Sequence, residues 1–115
     1  MKINYLDSKK IVKLSEEILG NNKAEKITCI NIKNKTSYAD FMIIATCTSS
    51  RHMNAVSNDL VNKLKKKGIF CPQPEGRPQY DWAIIDAGDV VIHLFRKELR
   101  LRYNLEKLWN LSLDH

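Results

Sequence analysis

Hydrophobic residues recur along the chain with two different periods, and each change of period marks an element. Ile11, Leu14, Ile18 and Leu19 fall at helical spacing after Asp7 or Ser8, either of which can cap a helix, and Gly20-Asn21 is its expected stop. "KITCINIK", residues 26–33, is rich in β-branched side chains and runs into the turn-like Asn34-Lys35, so it reads as a strand. "DFMIIAT", residues 40–46, is an apolar run between polar residues, the pattern of a strand covered on both faces. Helical spacing returns at Met53, Val56, Leu60 and Leu64, with Ser49 or Ser50 as N-cap and Lys65-Lys66-Lys67-Gly68 as the close.

All three prolines lie in "IFCPQPEGRPQYD", residues 69–81, which predicts a long connection with a short strand at its start. "WAIIDAGDVVIHLF", residues 82–95, then reads as an antiparallel hairpin with Ala87-Gly88 at the centre of its turn. Alternation puts Val91, His93 and Phe95 on one face of the second strand and Val90, Ile92 and Leu94 on the other. Leu101, Leu105, Leu108 and Trp109 mark one face of a closing helix. The resulting order, α-β-β-α-(β)-β-β-α, predicts an α/β fold in which a mixed sheet is flanked by helices.

Composition narrows the class. At 115 residues the chain is expected to form one domain over residues 1–115, and 43% hydrophobic with 28% charged residues is the balance of a folded protein, not of a disordered or fibrous one. "MKINYLDSKK" has no apolar signal region and no stretch approaches a bilayer-spanning run, so a cytoplasmic protein with no membrane partner is expected. Cys29, Cys47 and Cys71 are odd in number and widely spaced, which speaks against a disulfide framework or a zinc site.

The net charge of +6 is unevenly spread. Residues 1–35 hold eight lysines against four acids, and Lys63, Lys65, Lys66 and Lys67 add a second basic run. Between residues 75 and 95, Glu75, Asp81, Asp86 and Asp89 face Arg77 alone. The hairpin is thus the acidic, aromatic part of a basic protein, and its partner should be basic or mixed in charge.

Four groups of residues invite a chemical reading. The stretch "IIATCTSSRH" resembles an anion cradle at a helix N-terminus, but it lacks Gly-rich spacing and plain N-capping explains its serines; Arg51 and His52, exposed in the first turn, would meet an anion. Cys47 with His52 has the makings of a thiolate–imidazole pair, without a clear orienting residue or oxyanion donors. Asp86, Asp89 and His93 suggest metal ligands or an acid–base set, yet the aspartates sit where turns favour them, and His93 reads as a partly buried, hydrogen-bonded histidine. Trp82 is either core or a docking anchor. No catalytic residue, metal or cofactor is expected. The lysine runs are not interleaved with aromatics, so they suggest non-specific attraction to RNA and not sequence reading.

Taken together, "DFMIIATCTSSRHMNAV", "EGRPQYDWAIIDAGDVVIHLF" and "RYNLEKLW" resemble the ribosomal silencing factor family, also called RsfS or Iojap-like proteins, from about residue 8 to residue 110. The resemblance implies a small nucleotidyltransferase-like α/β domain that is not an enzyme. It implies binding to the large ribosomal subunit through large-subunit ribosomal protein fourteen, steric obstruction of small-subunit joining when nutrients are short, nearby ribosomal RNA, and a homodimer as an option off the ribosome. By motif it carries partner contact, or the shaping of it, onto Asp81, Trp82, Asp86, Gly88 and Asp89. Ser49, Arg51, His52, His93, Tyr103, Glu106 and Trp109 match further family motifs as contact or structural positions. Cys47 departs from the pattern, which carries glycine after the Ala-Thr pair. The rival readings are a large-subunit assembly factor, an RNA-binding module and a nucleotidyl-transfer remnant, the last without the Gly-Ser and paired carboxylates that hold two metals.

Overall fold

Asp7 stands immediately before the first helical residue, and its carboxylate accepts the Lys10 N–H at 3.0 Å, so the first of the two candidate caps is the one used. The helix it starts, α1 (Ser8–Asn21), is followed by β1 (Glu25–Asn31), β2 (Phe41–Cys47), α2 (Ser50–Lys66), β3 (Glu75–Arg77), β4 (Trp82–Ala87) and β5 (Val90–Arg96). The structure is a computed structural model that describes residues 7–35, 37, 39–71 and 82–97 and the backbone of 75–77. The expected closing helix, with Tyr103, Glu106 and Trp109, lies outside the described residues, as does Asp81.

Both helices end in the same way. After α1 the Lys23 N–H bonds to the Gly20 carbonyl and the Ala24 N–H to the Leu19 carbonyl, each at 3.0 Å; after α2 the Gly68 N–H bonds to Lys65 at 2.9 Å and the Ile69 N–H to Leu64 at 3.0 Å. These paired bonds form a Schellman motif, whose reversal requires a left-handed residue between them. Gly68 fills that position at φ 85°, but in α1 Lys23 does so at φ 63°. The stop expected at Gly20-Asn21 is therefore displaced: Gly20 is an ordinary member of the last turn, and a lysine carries the strained conformation. Lys26, at φ 49°, marks a bulge where the β1–β2 register shifts between Glu25 and Thr28.

The five strands lie in the order β1-β2-β5-β4-β3. All neighbours are antiparallel except β2 and β5, which run parallel from Phe41 opposite Val90 to Cys47 opposite Arg96. The short strand of the Pro-rich connection sits in its middle, at Glu75–Arg77, and not at its start, because residues 69–71 serve the end of α2 instead. Cys47 ends β2 fully buried and without positive φ, so a non-glycine residue fits there.

Helices α1 and α2 pack on one face of the sheet. The core there joins Ile11, Ile18 and Leu19 of α1, Met53, Val56, Leu60 and Leu64 of α2, and the inward residues Ile43, Ala45, Ile85, Ile92 and Leu94 of the strands. On the other face Ile30, Ile32, Ala39, Met42, Ile44, Val91 and Phe95 form a second buried cluster, with Trp82 and Ile84 packed against it. Burial on both sides accounts for the largely apolar sequences of β2 and β5.

Replacing Lys23 with glycine relieves the left-handed backbone at α1's end, and Lys23→Gly is expected to stabilise the fold by about 0.5–1 kcal/mol. Urea denaturation checks it: a higher midpoint with unchanged slope is expected, whereas an unchanged or lower midpoint refutes the strain at Lys23.

Candidate functional site

The hairpin tip is built one residue later than the sequence suggests. Ala87 pairs with Val90, leaving Gly88 and Asp89 as the two turn residues. Gly88 has φ 76° and Asp89 does not take positive φ, which is the pattern of a II′ turn. Ala87 belongs to the strand because its methyl group is fully buried on the helix side of the sheet. The Asp86 carboxylate accepts the Gly88 N–H at 3.0 Å, holding the turn while its charge stays exposed.

A second anchor brings in a residue that sequence reasoning missed. The Asp89 carbonyl accepts the N–H groups of Asp40 at 2.7 Å and Phe41 at 3.2 Å. This ties the tip to the start of β2 and places Asp40 beside the hairpin, so three aspartates share one end of the sheet. A charged residue opening a buried strand was the available signal, but only parallel pairing with β5 turns it into a neighbour of Asp89.

Trp82 stands elsewhere. It opens β4 opposite Phe95, four residues and about 13 Å of strand from Asp86. The acidic tip and the tryptophan, adjacent in sequence, occupy opposite ends of one strand. They do share a face: Trp82, Ile84 and Asp86 pair with Phe95, His93 and Val91. Trp82 is half-buried against the second apolar cluster, so it both supports that cluster and shows part of its ring to solvent.

His93 lies on the same face, stacked on Phe95 with ring centroids 5.9 Å apart. Among the described residues its buried Nδ1 has no hydrogen-bond partner, so the hydrogen bond expected of this histidine is not made at that nitrogen. Its neighbours across the sheet, Ile44 and Ile84, offer nothing polar. Burial disfavours the imidazolium and pushes the pKa down to about 4.

Ser49, Arg51 and His52 gather at the far end of the sheet from the aspartates, where β2 passes into α2. Ser49 is the N-cap, its hydroxyl accepting the His52 N–H at 3.0 Å. His52 is committed internally and half-buried, not exposed as expected. Its Nε2 donates to the Asn22 carbonyl at 2.7 Å and its Nδ1 accepts the Thr48 N–H at 3.1 Å. Asn22 in turn donates from Nδ2 to Ile18 at 2.9 Å and to the Asp59 carboxylate at 2.8 Å. This bond from Asn22, with Lys63 at 3.1 Å, holds the Asp59 carboxyl below its ordinary range. His52 thus fastens the end of α1 to the start of α2, and Arg51 beside it remains exposed.

With both ring nitrogens of His52 engaged, no thiolate–imidazole pair forms with Cys47, whose thiol burial pushes up to about 11. Burial raises Cys29 and Cys71 to about 11 as well. Among the described residues no group of three or more His, Cys, Asp or Glu side chains converges to hold a metal. No helix among them is long and apolar enough to cross a membrane.

An acidic tip, a half-buried tryptophan and a structural Ser-Arg-His corner give a surface suited to contact. The chain matches the family described as "Ribosomal silencing factor during starvation" over residues 5–114. It belongs to the ribosomal silencing factor (RsfS) family. Among its relatives are the ribosomal silencing factor RsfS of Zymomonas mobilis, 40% identical over 90% of this chain and 77% of that one, and RsfS of Bacillus subtilis, 31% identical over 90% and 88%. A crystal structure of a Chromobacterium violaceum protein aligns at 34% identity with a TM-score of 0.86, covering 91% of this chain and 88% of that one. The mouse relative, 32% identical over 94% of this chain and 49% of that protein, is named "Mitochondrial assembly of ribosomal large subunit protein 1".

Because the folded pKa of His93 lies below its unfolded value of 6.5, its neutral form stabilises the fold fully above that value, and this contribution is lost as pH falls toward 4. Moving from pH 7 to pH 5 should therefore cost about 2 kcal/mol through this residue. His93→Leu, apolar and similar in volume, should remove that part of the acid sensitivity in urea denaturation at the two pH values. An identical loss in the variant would mean that His93 is not the titrating group.

Proposed function

We propose that this protein is a translational repressor that binds the large ribosomal subunit through large-subunit ribosomal protein fourteen and blocks joining of the small subunit by occupying space, chiefly when nutrients are limiting. No bond is made or broken in this reading, and the protein works as a non-enzymatic, regulatory member of its family. Carrying it is the cluster of Asp40, Asp86 and Asp89 at one end of a chain with net charge +6. Such a cluster suits a basic ribosomal protein, while the remaining surface tolerates ribosomal RNA close by.

Within the contact, Asp86 and Asp89 supply charge and Gly88 supplies the turn that presents them. Trp82, and Asp81 before it, supply a second contact toward the other end of β4. A half-buried tryptophan that packs on an apolar cluster and leaves part of its ring exposed is the residue type that dominates interface energies. Arg51 borders the same end of the sheet as Trp82, and Ser49, His52 and His93 shape the surface from within. Tyr103, Glu106 and Trp109 match the family's closing motif as contact or structural positions.

The name of the mouse relative favours a second reading, an assembly factor for the large subunit. Both readings require selective large-subunit binding, and they part at the consequence. A silencing factor added to mature subunits prevents their joining; an assembly factor leaves mature subunits free to join and its loss leaves precursors behind.

Co-sedimentation with separated subunits, followed by a joining assay at physiological magnesium, tests the proposal. Selective large-subunit binding with fewer joined ribosomes is expected; sedimentation with neither subunit, or with both in proportion to their RNA, refutes it. Asp86→Asn combined with Asp89→Asn keeps an acceptor for the Gly88 N–H and removes two charges, and should weaken binding by about 1–3 kcal/mol. Trp82→Ala should cost about 2 kcal/mol of binding in a variant that remains folded. Wild-type affinity in both variants would exclude this surface.

A further inference from the structure

The Schellman motif that ends α2 also fixes the path of residues 69–71. Its reversal at Gly68 sends Ile69 back against Leu64, and both are buried in the helix-side core. The extended residues after it alternate: Ile69 is 1% exposed, Phe70 is 74% exposed and Cys71 is 3% exposed. Phe70 is held outward because both of its neighbours are held inward. It is the exposed large hydrophobic side chain among the described residues.

Around it the charge is basic. Lys63 is engaged by Asp59 at 3.1 Å, whereas Lys65, Lys66 and Lys67 are exposed and no ion pair holds them among the described residues. These lysines close the helix, and Phe70 comes within three residues of the last of them. An exposed aromatic therefore follows the lysine run closely, although none is interleaved with it. Helix α2 begins where β2 ends and runs back across the sheet, so its last turn reaches the end that carries the aspartates.

We propose that Phe70 with Lys65, Lys66 and Lys67 forms an RNA-binding patch. The phenyl ring is a stacking platform for an unpaired base, and the three ammonium groups hold the phosphates on either side of it. A flat ring accepts any base, and lysines pair with phosphates as point charges, so the patch grips RNA without reading its sequence. One exposed ring is too little apolar surface to enter a bilayer. A basic partner for the aspartates next to a polyanionic partner for the lysines describes a ribosomal protein embedded in ribosomal RNA. That setting rests on the ribosome-binding reading above; the RNA contact itself does not.

The test uses the full chain and a fluorescein-labelled twelve-residue oligouridylate, with binding followed by anisotropy. Saturable binding is expected, with log affinity falling against log salt at a slope of about −2 for three lysine–phosphate contacts to a single strand. Phe70→Leu should weaken binding by about 5- to 100-fold. Lys65→Gln, Lys66→Gln and Lys67→Gln together should remove most of the salt slope. Circular dichroism establishes that these surface variants are folded. Binding that is absent, or unchanged in both variants, overturns the proposal, as does binding to anionic phosphatidylglycerol vesicles in place of the oligonucleotide. The two readings separate through Asp86→Asn with Asp89→Asn: that variant should keep oligonucleotide affinity while losing large-subunit co-sedimentation. Oligonucleotide binding that depends on Phe70, with no subunit binding by wild type, would retain the patch and refute the ribosomal setting.

Discussion

The parallel pairing of β2 with β5 decides where every candidate residue stands. Two parallel neighbours cannot be joined by a tight turn, so the chain must travel back along the sheet before β5 can begin, and α2 makes that journey. Their common direction puts Asp40 and Asp89 together at the start of both strands, and the Ser-Arg-His corner where both strands end. The antiparallel β4 then sends Trp82 to one end and Asp86 to the other. Full burial of Ile43, Ile44 and Ile92 from both sides makes this pairing the hardest part of the sheet to shift, since a slip by one residue would turn each apolar set to the wrong face.

Polar residues secure what the core positions. Asn22 and His52 connect the end of α1 to the beginning of α2 through bonds of 2.7–2.9 Å that also reach Asp59. The Asp89 carbonyl performs the same service at the opposite end, between the hairpin and β2. His52 and Asp89 therefore belong to the framework as much as to any surface, although only the side chain of Asp89 is free to meet a partner. His93 is the exception. Its buried imidazole has an Nδ1 that finds no hydrogen bond among the described residues, and burial favours the neutral form.

Local pattern made the elements legible in the sequence alone. The 3.6-residue spacing of Met53, Val56, Leu60 and Leu64, and the apolar alternation on either side of Gly88, predicted α2 and the hairpin within a residue or two. What escaped was either a contest between local preferences or a property of the third dimension. Gly20 looked like the stop of α1, yet the left-handed position fell on Lys23 because the buried face of the helix extends to Leu19. Ala87 looked like a turn residue and proved to be core. Asp40 had no visible connection with the hairpin, since strand order is not written in any one segment. Phe70, one residue of the Pro-rich connection, gave no signal of its own, and only the inward packing of its neighbours Ile69 and Cys71 leaves it outside.

A small basic protein with an acidic tip, an aromatic at either end of the molecule and no convergent metal-binding group among its described residues is organised for contact. The contact with the large subunit is proposed to lie at the sheet end holding Asp40, Asp86 and Asp89. Hydrogen–deuterium exchange of the protein free and bound to purified large subunits would locate it. Slowed exchange is expected at residues 39–41 and 86–90 on binding, with the Asn22–His52 corner far less affected. Protection confined to that corner, or to α1, with residues 86–90 exchanging as in the free protein, would place the contact elsewhere and refute the acidic tip as its seat.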